Sequence, residues 1–151
     1  MRTYLVVIDE TEEAAIALRF AARRAAKTGG AVHILALAEP TAFAAWGAVQ
    51  ATMAEEAKSR AEALVVSAAG ALFDELGRRP AITVKQGKGT DAVRELIDEH
   101  GEIAALVLGA AANGPPGPLV SHFTGHNAGS LPCPVMVIPG SLDPDAIDRL
   151  S

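Results

Sequence analysis

The chain holds 151 residues, 50% of them hydrophobic and 21% charged; this is the make-up of one globular domain and excludes a disordered, collagenous or low-complexity polypeptide. One cysteine, Cys133, rules out an intramolecular disulfide framework and a zinc site built on several thiolates. Thirteen basic against 18 acidic residues leave a net charge of −5, which argues against nucleic acid or an anionic membrane as partner.

The first apolar run, Tyr4-Leu5-Val6-Val7-Ile8, is β-branched and continuous, as in a strand buried on both faces. It is too short for a secretory signal, since Asp9, Glu10, Glu12 and Glu13 follow at once. No run reaches the length of a membrane span, so the expected location is the cytoplasm. The acidic stretch opens an alanine-rich helix to about Thr28, with Ala14, Leu18, Ala21, Ala22 and Ala25 on one stripe. Ile16 and Phe20 fall on its other side and suggest a second buried patch. Gly29-Gly30 stops this helix.

Ala31–Leu37 reads as the second strand, and Pro40 marks the turn after it. Thr41 to Arg78 is helical in pattern, but one helix of that length would be about 57 Å long. A domain of this size is roughly 40 Å across. A break near Gly47 is therefore expected, with Thr41–Gly47 semi-ordered and the main helix from about Ala51 to Leu76. Phe43 and Trp46 in that segment read as core plugs or a lid over the crevice. Ala81–Gln86 is the third strand and Thr90–His100 an amphipathic helix. Ile103–Leu108 is the fourth strand, apolar throughout. A Gly- and Pro-rich loop from Gly109 to about Val120 precedes a short helix, Ser121 to Ser130. Val135–Ile138 is the fifth strand, and residues 141–151 read as a polar tail.

Alternating strands and helices make right-handed βαβ units and a parallel sheet. The expected architecture is a single doubly wound α/β domain over residues 1–140, with five strands and four helices. In such a sheet, ligands bind beyond the carboxyl ends of the strands. The candidate segments are then Asp9–Thr11, Ala38–Gly47, Gly87–Thr90 and Gly109–Thr124. The first is acidic and repels phosphate; no GxGxxG follows the first strand. Asp9 at the strand tip can accept a hydrogen bond from a base amine or a ribose hydroxyl. Gly87-Lys88-Gly89-Thr90 is similar to the tail of a P-loop but the full GxxxxGK[ST] is missing; it reads as a tight turn with Thr90 capping the next helix, with an anion site on the amides there as the alternative. The glycines and prolines of Gly109–Thr124 suit either close approach of backbone N–H groups to a phosphate or a rigid ligand-free loop. His122 and His126 stand four apart without an evident third metal ligand. No catalytic residue is assigned: the third strand ends in Lys85-Gln86-Gly87 rather than a receiver's acceptor aspartate, and only Asp9 and His122 stand where a base would be needed.

Three stretches carry a further signal: Val6-Val7-Ile8-Asp9, Leu106-Val107-Leu108-Gly109 and Pro132-Cys133-Pro134-Val135-Met136-Val137-Ile138. With these the chain resembles the universal stress proteins over about Arg2 to Pro139. The resemblance implies a sheet of order 3-2-1-4-5. It also implies a homodimer; because the fifth strand comes last and lies at the sheet edge, its apolar residues Val135, Met136, Val137 and Ile138 are where a symmetric partner is expected to pair, and the identity of any other protein partner is left open. Some members bind ATP through Gly-x-x-Gly-x(9)-Gly-Ser/Thr, whose glycines let amides wrap the triphosphate, with Mg²⁺ bridging the phosphates. Here Gly109 fits the first glycine, while Ala112 stands at the second, with Gly114 and Gly117 nearby. The later pair falls on Ser121-His122 with a one-residue shift, followed by Phe123 and Thr124. The implied contacts are Val7 and Asp9 at base and ribose, Leu37 or Ala38 beside the adenine, Leu108 behind it, and Ser121 and Thr124 as hydroxyl donors. The implied function is a non-catalytic stress-response module with an adenine-nucleotide site. A slow ATP-hydrolysing enzyme and a dimeric interaction domain without nucleotide stand beside it.

Overall fold

The computed structural model describes residues 1–38 and 47–151. Its strands are β1 (Thr3–Ile8), β2 (Ala31–Ala38), β3 (Ala81–Gln86), β4 (Ile103–Ala110) and β5 (Val135–Pro139). Its helices are α1 (Glu12–Thr28), α2 (Gly47–Leu76), α3 (Gly89–Glu99), α4 (Pro118–Thr124) and α5 (Pro144–Leu150), with a 3₁₀ turn at Ala128–Ser130. The five strands form one parallel sheet of order β3-β2-β1-β4-β5. This is the expected topology.

Alternation along the strands builds two apolar layers. Tyr4, Val6 and Ile8 point to one face with Ile34, Ala36 and Val107, where α1 and α2 cover them. Leu5 and Val7 point to the other with Leu35, Leu106 and Leu108, where residues of α3 and α4 close the layer. The three central strands are therefore buried on both sides, which is why β1, β2 and β4 lack an apolar–polar alternation.

Several elements differ from the sequence reading. Among the described residues there are five α-helices, not four. The fifth lies in the stretch read as a polar tail: Asp143 caps it by accepting from the Ala146 amide at 2.8 Å, and Ile147 is 1% exposed. Three polar residues in seven mask one anchor that packs in the core. Arg19 of α1 grips Asp148 through two bonds, 3.1 and 2.8 Å long, and Lys27 donates to the Asp148 carbonyl. Phe20 is buried in the main core and Ile16 packs against it. They do not form a separate patch, because α1 is enclosed by the sheet, α2 and α5 together and buries a wide arc. Helix α2 begins at Gly47, earlier than expected, and runs 30 residues. The segment thought semi-ordered, with Phe43 and Trp46, lies outside the described residues up to residue 46. The predicted helix Ser121–Ser130 is instead α4, which starts at Pro118 and ends at Thr124, followed by the 3₁₀ turn. Proline at the first helical position sets that start, since its missing N–H is an orphan there.

Candidate functional site

The strand order reverses between β1 and β4, and a cavity of about 310 Å³ opens at the carboxyl ends of the strands there. Parallel strands leave a crevice at such a reversal, because the flanking helices depart to opposite faces. The volume is at the lower end of small-molecule pockets. Val7, Leu37 and Leu108 from three strand ends give an apolar floor. The β1–α1 wall presents Asp9, Thr11, Glu13 and Ala14, and the β3–α3 wall presents Lys88, Gly89 and Thr90. The β4–α4 wall is Gly109 with Pro116, Gly117, Pro118, Leu119 and Val120. A second hollow of about 250 Å³ shares Asp9 and Leu37 and runs to Ala57, Arg60, Ala61 and Leu64 along α2.

Asp9 is exposed and at the cavity rim, where its Oδ1 accepts from the Thr11 amide at 2.8 Å and the Thr11 hydroxyl at 2.5 Å. Thr11 Oγ1 in turn accepts from the Ala14 amide at 3.2 Å, capping α1. The aspartate thus shapes the turn as well as edging the cavity. Glu12 and Glu13 occupy the first turn of α1, where the helix dipole favours them.

Of the residues expected to contact a nucleotide, Val7, Asp9, Leu37, Leu108, Gly109 and Gly117 line the cavity. The others do not. Ala38 turns to the opposite face of the sheet, into the α1–α2 layer, because it is one residue past Leu37. Ala112 and Gly114 are exposed at the far end of the loop. Phe123 is 1% exposed in the second apolar layer. His122 stands with its ring edge-on to Phe123, centroids 4.8 Å apart. Thr124 Oγ1 donates to the Val120 carbonyl at 2.7 Å, so its hydroxyl is used within α4. Ser121 is exposed and lies past the cavity wall. The reason is common to all four residues from Ser121 to Thr124. Helix α4 starts three residues earlier than expected and carries them away from the cleft.

The glycines of this loop have structural work. Gly114 and Gly117 have φ of +74° and +118°, values that side-chain-bearing residues rarely adopt. The loop is braced by the Ala111 amide donating to the Pro116 carbonyl at 3.1 Å. Gly109 serves packing: a Cβ there would collide with the Glu13 carbonyl at the start of α1. The sequence reading of these glycines as a phosphate cradle therefore competes with turn and packing roles that the fold itself requires.

Lys88, Gly89 and Thr90 of the candidate segment Gly87–Thr90 line the cavity. Thr90 is not the cap; α3 begins at Gly89 after Lys88, without a side-chain capping bond. Thr11, Glu13, Ala14, Pro116, Pro118, Leu119 and Val120 also escaped the reading. The two prolines had a signal, since they flank the glycine where the loop must turn back over the strand ends.

Other chemistry-bearing residues lie elsewhere. His33 is buried near the opposite end of the strands, its Nε2 2.7 Å from Thr83 Oγ1, and its ring meets His100 edge-on at 5.2 Å. Burial, then the neighbouring His100, pushes its pKa down. Burial likewise pushes the Cys133 thiol up, away from a reactive thiolate. His126 lies beyond the end of α4, so it shares no helix face with His122. Among the described residues no group of three His, Cys, Asp or Glu could hold a metal ion. Among them, too, no helix is long and apolar enough to cross a membrane.

Comparison with known proteins adds three structural relatives. A model of the universal stress protein family matches residues 1–139. The structure is similar to universal stress protein UspA from Lactobacillus plantarum, with 19% identity, 91% of this chain and 97% of that chain covered, and a TM-score of 0.74. It is similar to a universal stress protein in complex with cAMP, at 16% identity, 93% and 98% coverage, and a TM-score of 0.57. An Arabidopsis thaliana family protein with AMP bound aligns at 14% identity, 96% and 94% coverage, and a TM-score of 0.55. At these identities the likeness is one of fold. A search of curated proteins finds no match.

Proposed function

The chain belongs to the universal stress protein family, and from that premise we propose that it is a non-catalytic binding module for an adenine nucleotide. The observation that carries the reading is the cavity at the strand reversal, with an apolar floor of Val7, Leu37 and Leu108 beneath a polar rim. A flat purine buries its faces on such a floor while its ribose and phosphate reach the rim. Two relatives of this fold are described with AMP and with cAMP, which supports the ligand class. Among the described residues, the polar side chains at the cavity are the carboxylates of Asp9 and Glu13, the Lys88 ammonium and the Thr11 and Thr90 hydroxyls, with no imidazole or thiol. That set suits binding more than turnover.

Isothermal titration with adenosine, AMP and ATP, with and without Mg²⁺, tests the proposal. Saturable heat with at least one adenine compound is expected. Absence of heat with all of them would leave the interaction-domain reading. ATP hydrolysis above the spontaneous rate would replace the binding module with an enzyme.

The module is proposed to work as a homodimer paired through β5. That strand is at the sheet edge, where its outer N–H and C=O groups face no neighbouring strand, and Val137 is 38% exposed. An apolar edge of this kind is a pairing surface. Val135 and Met136 are half-buried and complete the edge, while Ile138 turns into the core and offers only its backbone.

A further inference from the structure

We infer that the pole of the domain opposite the cavity, at the amino ends of the strands, docks a short acidic segment of another protein, rich in Asp and Glu. The inference goes beyond the nucleotide reading and does not depend on it.

The first observation is that the fold gathers cations from three separate pieces of chain. Arg2 leads into β1, Arg24 and Lys27 belong to the last turns of α1, and Arg78 and Arg79 lie in the turn between α2 and β3. Contacts tie them into one surface. Arg78 Nη1 is 3.2 Å from the Sδ of Met1, the neighbour of Arg2. Arg2 and Arg24 converge on the phenol of Tyr4, whose oxygen is 3.1 Å from Thr28 Oγ1. Arg24 Nη1 donates to the Ser151 carbonyl and Lys27 Nζ to the Ser151 hydroxyl, both at 3.2 Å. The phenol registers the positive field. Burial pushes its pKa up, but hydrogen bonding with Thr28, Arg24 and Arg2 outweighs burial and holds it below the ordinary value.

The second observation is that this charge is not spent inside the molecule. Arg19, Arg23, Lys58, Lys85 and Arg94 pair with carboxylates. Among the described residues, none of Arg2, Arg24, Lys27, Arg78 and Arg79 pairs with a carboxylate side chain. The nearby acids are already held, Asp148 by Arg19 and Arg23, and Glu75 by Arg23. Glu99 and Glu102 of the same end are on the α3 face of the sheet, with Lys85 and His100. The carboxyl end of α1 accounts for Lys27, which complements the helix dipole. Arg2, Arg78 and Arg79 are exposed and outside any helix, so the dipole does not account for them.

The third is the kind of cation and the charge of the rest. Four of the five are arginines, whose planar fork takes a carboxylate through two parallel hydrogen bonds. The chain as a whole carries −5, and Asp9, Glu10, Glu12 and Glu13 crowd the cavity end. A nucleic acid or an anionic membrane extends past the pole to acids elsewhere that outnumber its cations. A short acidic segment meets the pole alone.

Fluorescence anisotropy of the full chain with a fluorescein-labelled ten-residue polyglutamate peptide tests this. Saturable binding is expected at low salt, weakened about tenfold or more at about 0.5 M salt, where the screening length falls to about 4 Å. Arg78→Glu together with Arg79→Glu should weaken it about tenfold, and Arg2→Glu alone about threefold, since each puts repulsion where attraction stood. These residues are exposed and on separate pieces of chain, so one variant keeps the test open if the other misfolds. Lys58→Glu is the control: it makes the same change in net charge as Arg2→Glu, at a cation away from the pole, and should leave the affinity unchanged. Absence of peptide binding would overturn the inference. So would binding that ignores both pole variants, an equal loss with Lys58→Glu, or tighter binding to a DNA duplex or to phosphatidylserine vesicles than to the peptide. Titrations with adenosine and AMP should be unaltered in the pole variants, so this inference and the nucleotide reading fail separately.

Discussion

Gly109 offers the sharpest test of how this site is built. If its role were to let a phosphate approach, replacing it with alanine would leave the apo protein intact and weaken only the ligand. The structure argues otherwise. The added Cβ would run into the Glu13 carbonyl and within 3.1 Å of the Glu13 Cβ. Both belong to the first turn of α1, so the clash is with helix backbone and cannot be relieved by a rotamer change. The turn must lift from β4, and with it the Thr11 cap and the Asp9 carboxylate that Thr11 holds. Forced overpacking of this kind costs about 2 kcal/mol. In a domain of this length that corresponds to a fall of about 6 °C in melting temperature. Circular dichroism melts of Gly109→Ala against wild type measure it directly. Gly101→Ala is the control, since a Cβ there meets nothing, and its change should stay within about 0.5 kcal/mol. A Gly109→Ala protein that melts with the wild type would refute the packing role and return this glycine to the ligand.

Three further outcomes are expected. Ile147→Ala should destabilise by about 2 kcal/mol in urea titrations, near the low end for a buried aliphatic because a terminal helix can settle into the gap; no change would mean α5 does not anchor the fold. His33 has a pKa held down by burial, so the unfolded chain takes up its proton first, near pH 6.5. Stability should thus be full above that pH and decline as pH falls through it toward the lower folded value; His33→Asn should flatten that part of the melting profile, and an unaltered profile would assign the decline to other groups. Val137→Asp should convert a dimer to a monomer in light scattering with an unchanged melt, whereas a wild type already monomeric at micromolar concentration would remove the β5 pairing.

The sheet was legible because its signal is redundant. Five short strand runs, the first four each followed by a helical stretch, admit few topologies, and β1 and β4 are so uniformly apolar that only a two-sided burial fits them. Helix α5 was not legible. Its sequence Pro-Asp-Ala-Ile-Asp-Arg-Leu has three charged residues and one buried anchor in seven, and its place depends on Arg19 and Lys27, more than a hundred residues away. The floor of the cavity could be read from strand ends, as Val7, Leu37 and Leu108 show. Its loop wall could not, because a motif counted along the chain assumes a fixed phase. Pro118 opened α4 three residues early, and that shift moved Ser121, His122, Phe123 and Thr124 out of reach together.

The same early start limits what the β4–α4 wall offers the cleft. A loop that wraps phosphate needs successive amides on the cavity side. In Pro116-Gly117-Pro118 two of three positions have none, and Gly117 is held at a φ that follows from the turn. The rigidity of that wall contributes shape, closing the cavity over Leu108, but few donors. The Lys88 ammonium lines the β3–α3 wall instead, beside Gly89 and Thr90. With carboxylates on the β1–α1 wall and an ammonium on the β3–α3 wall, the cleft has a direction. A ligand with hydroxyls at one end and one negative charge at the other is oriented by it before any close contact forms, since opposite charges at such range attract and like charges repel.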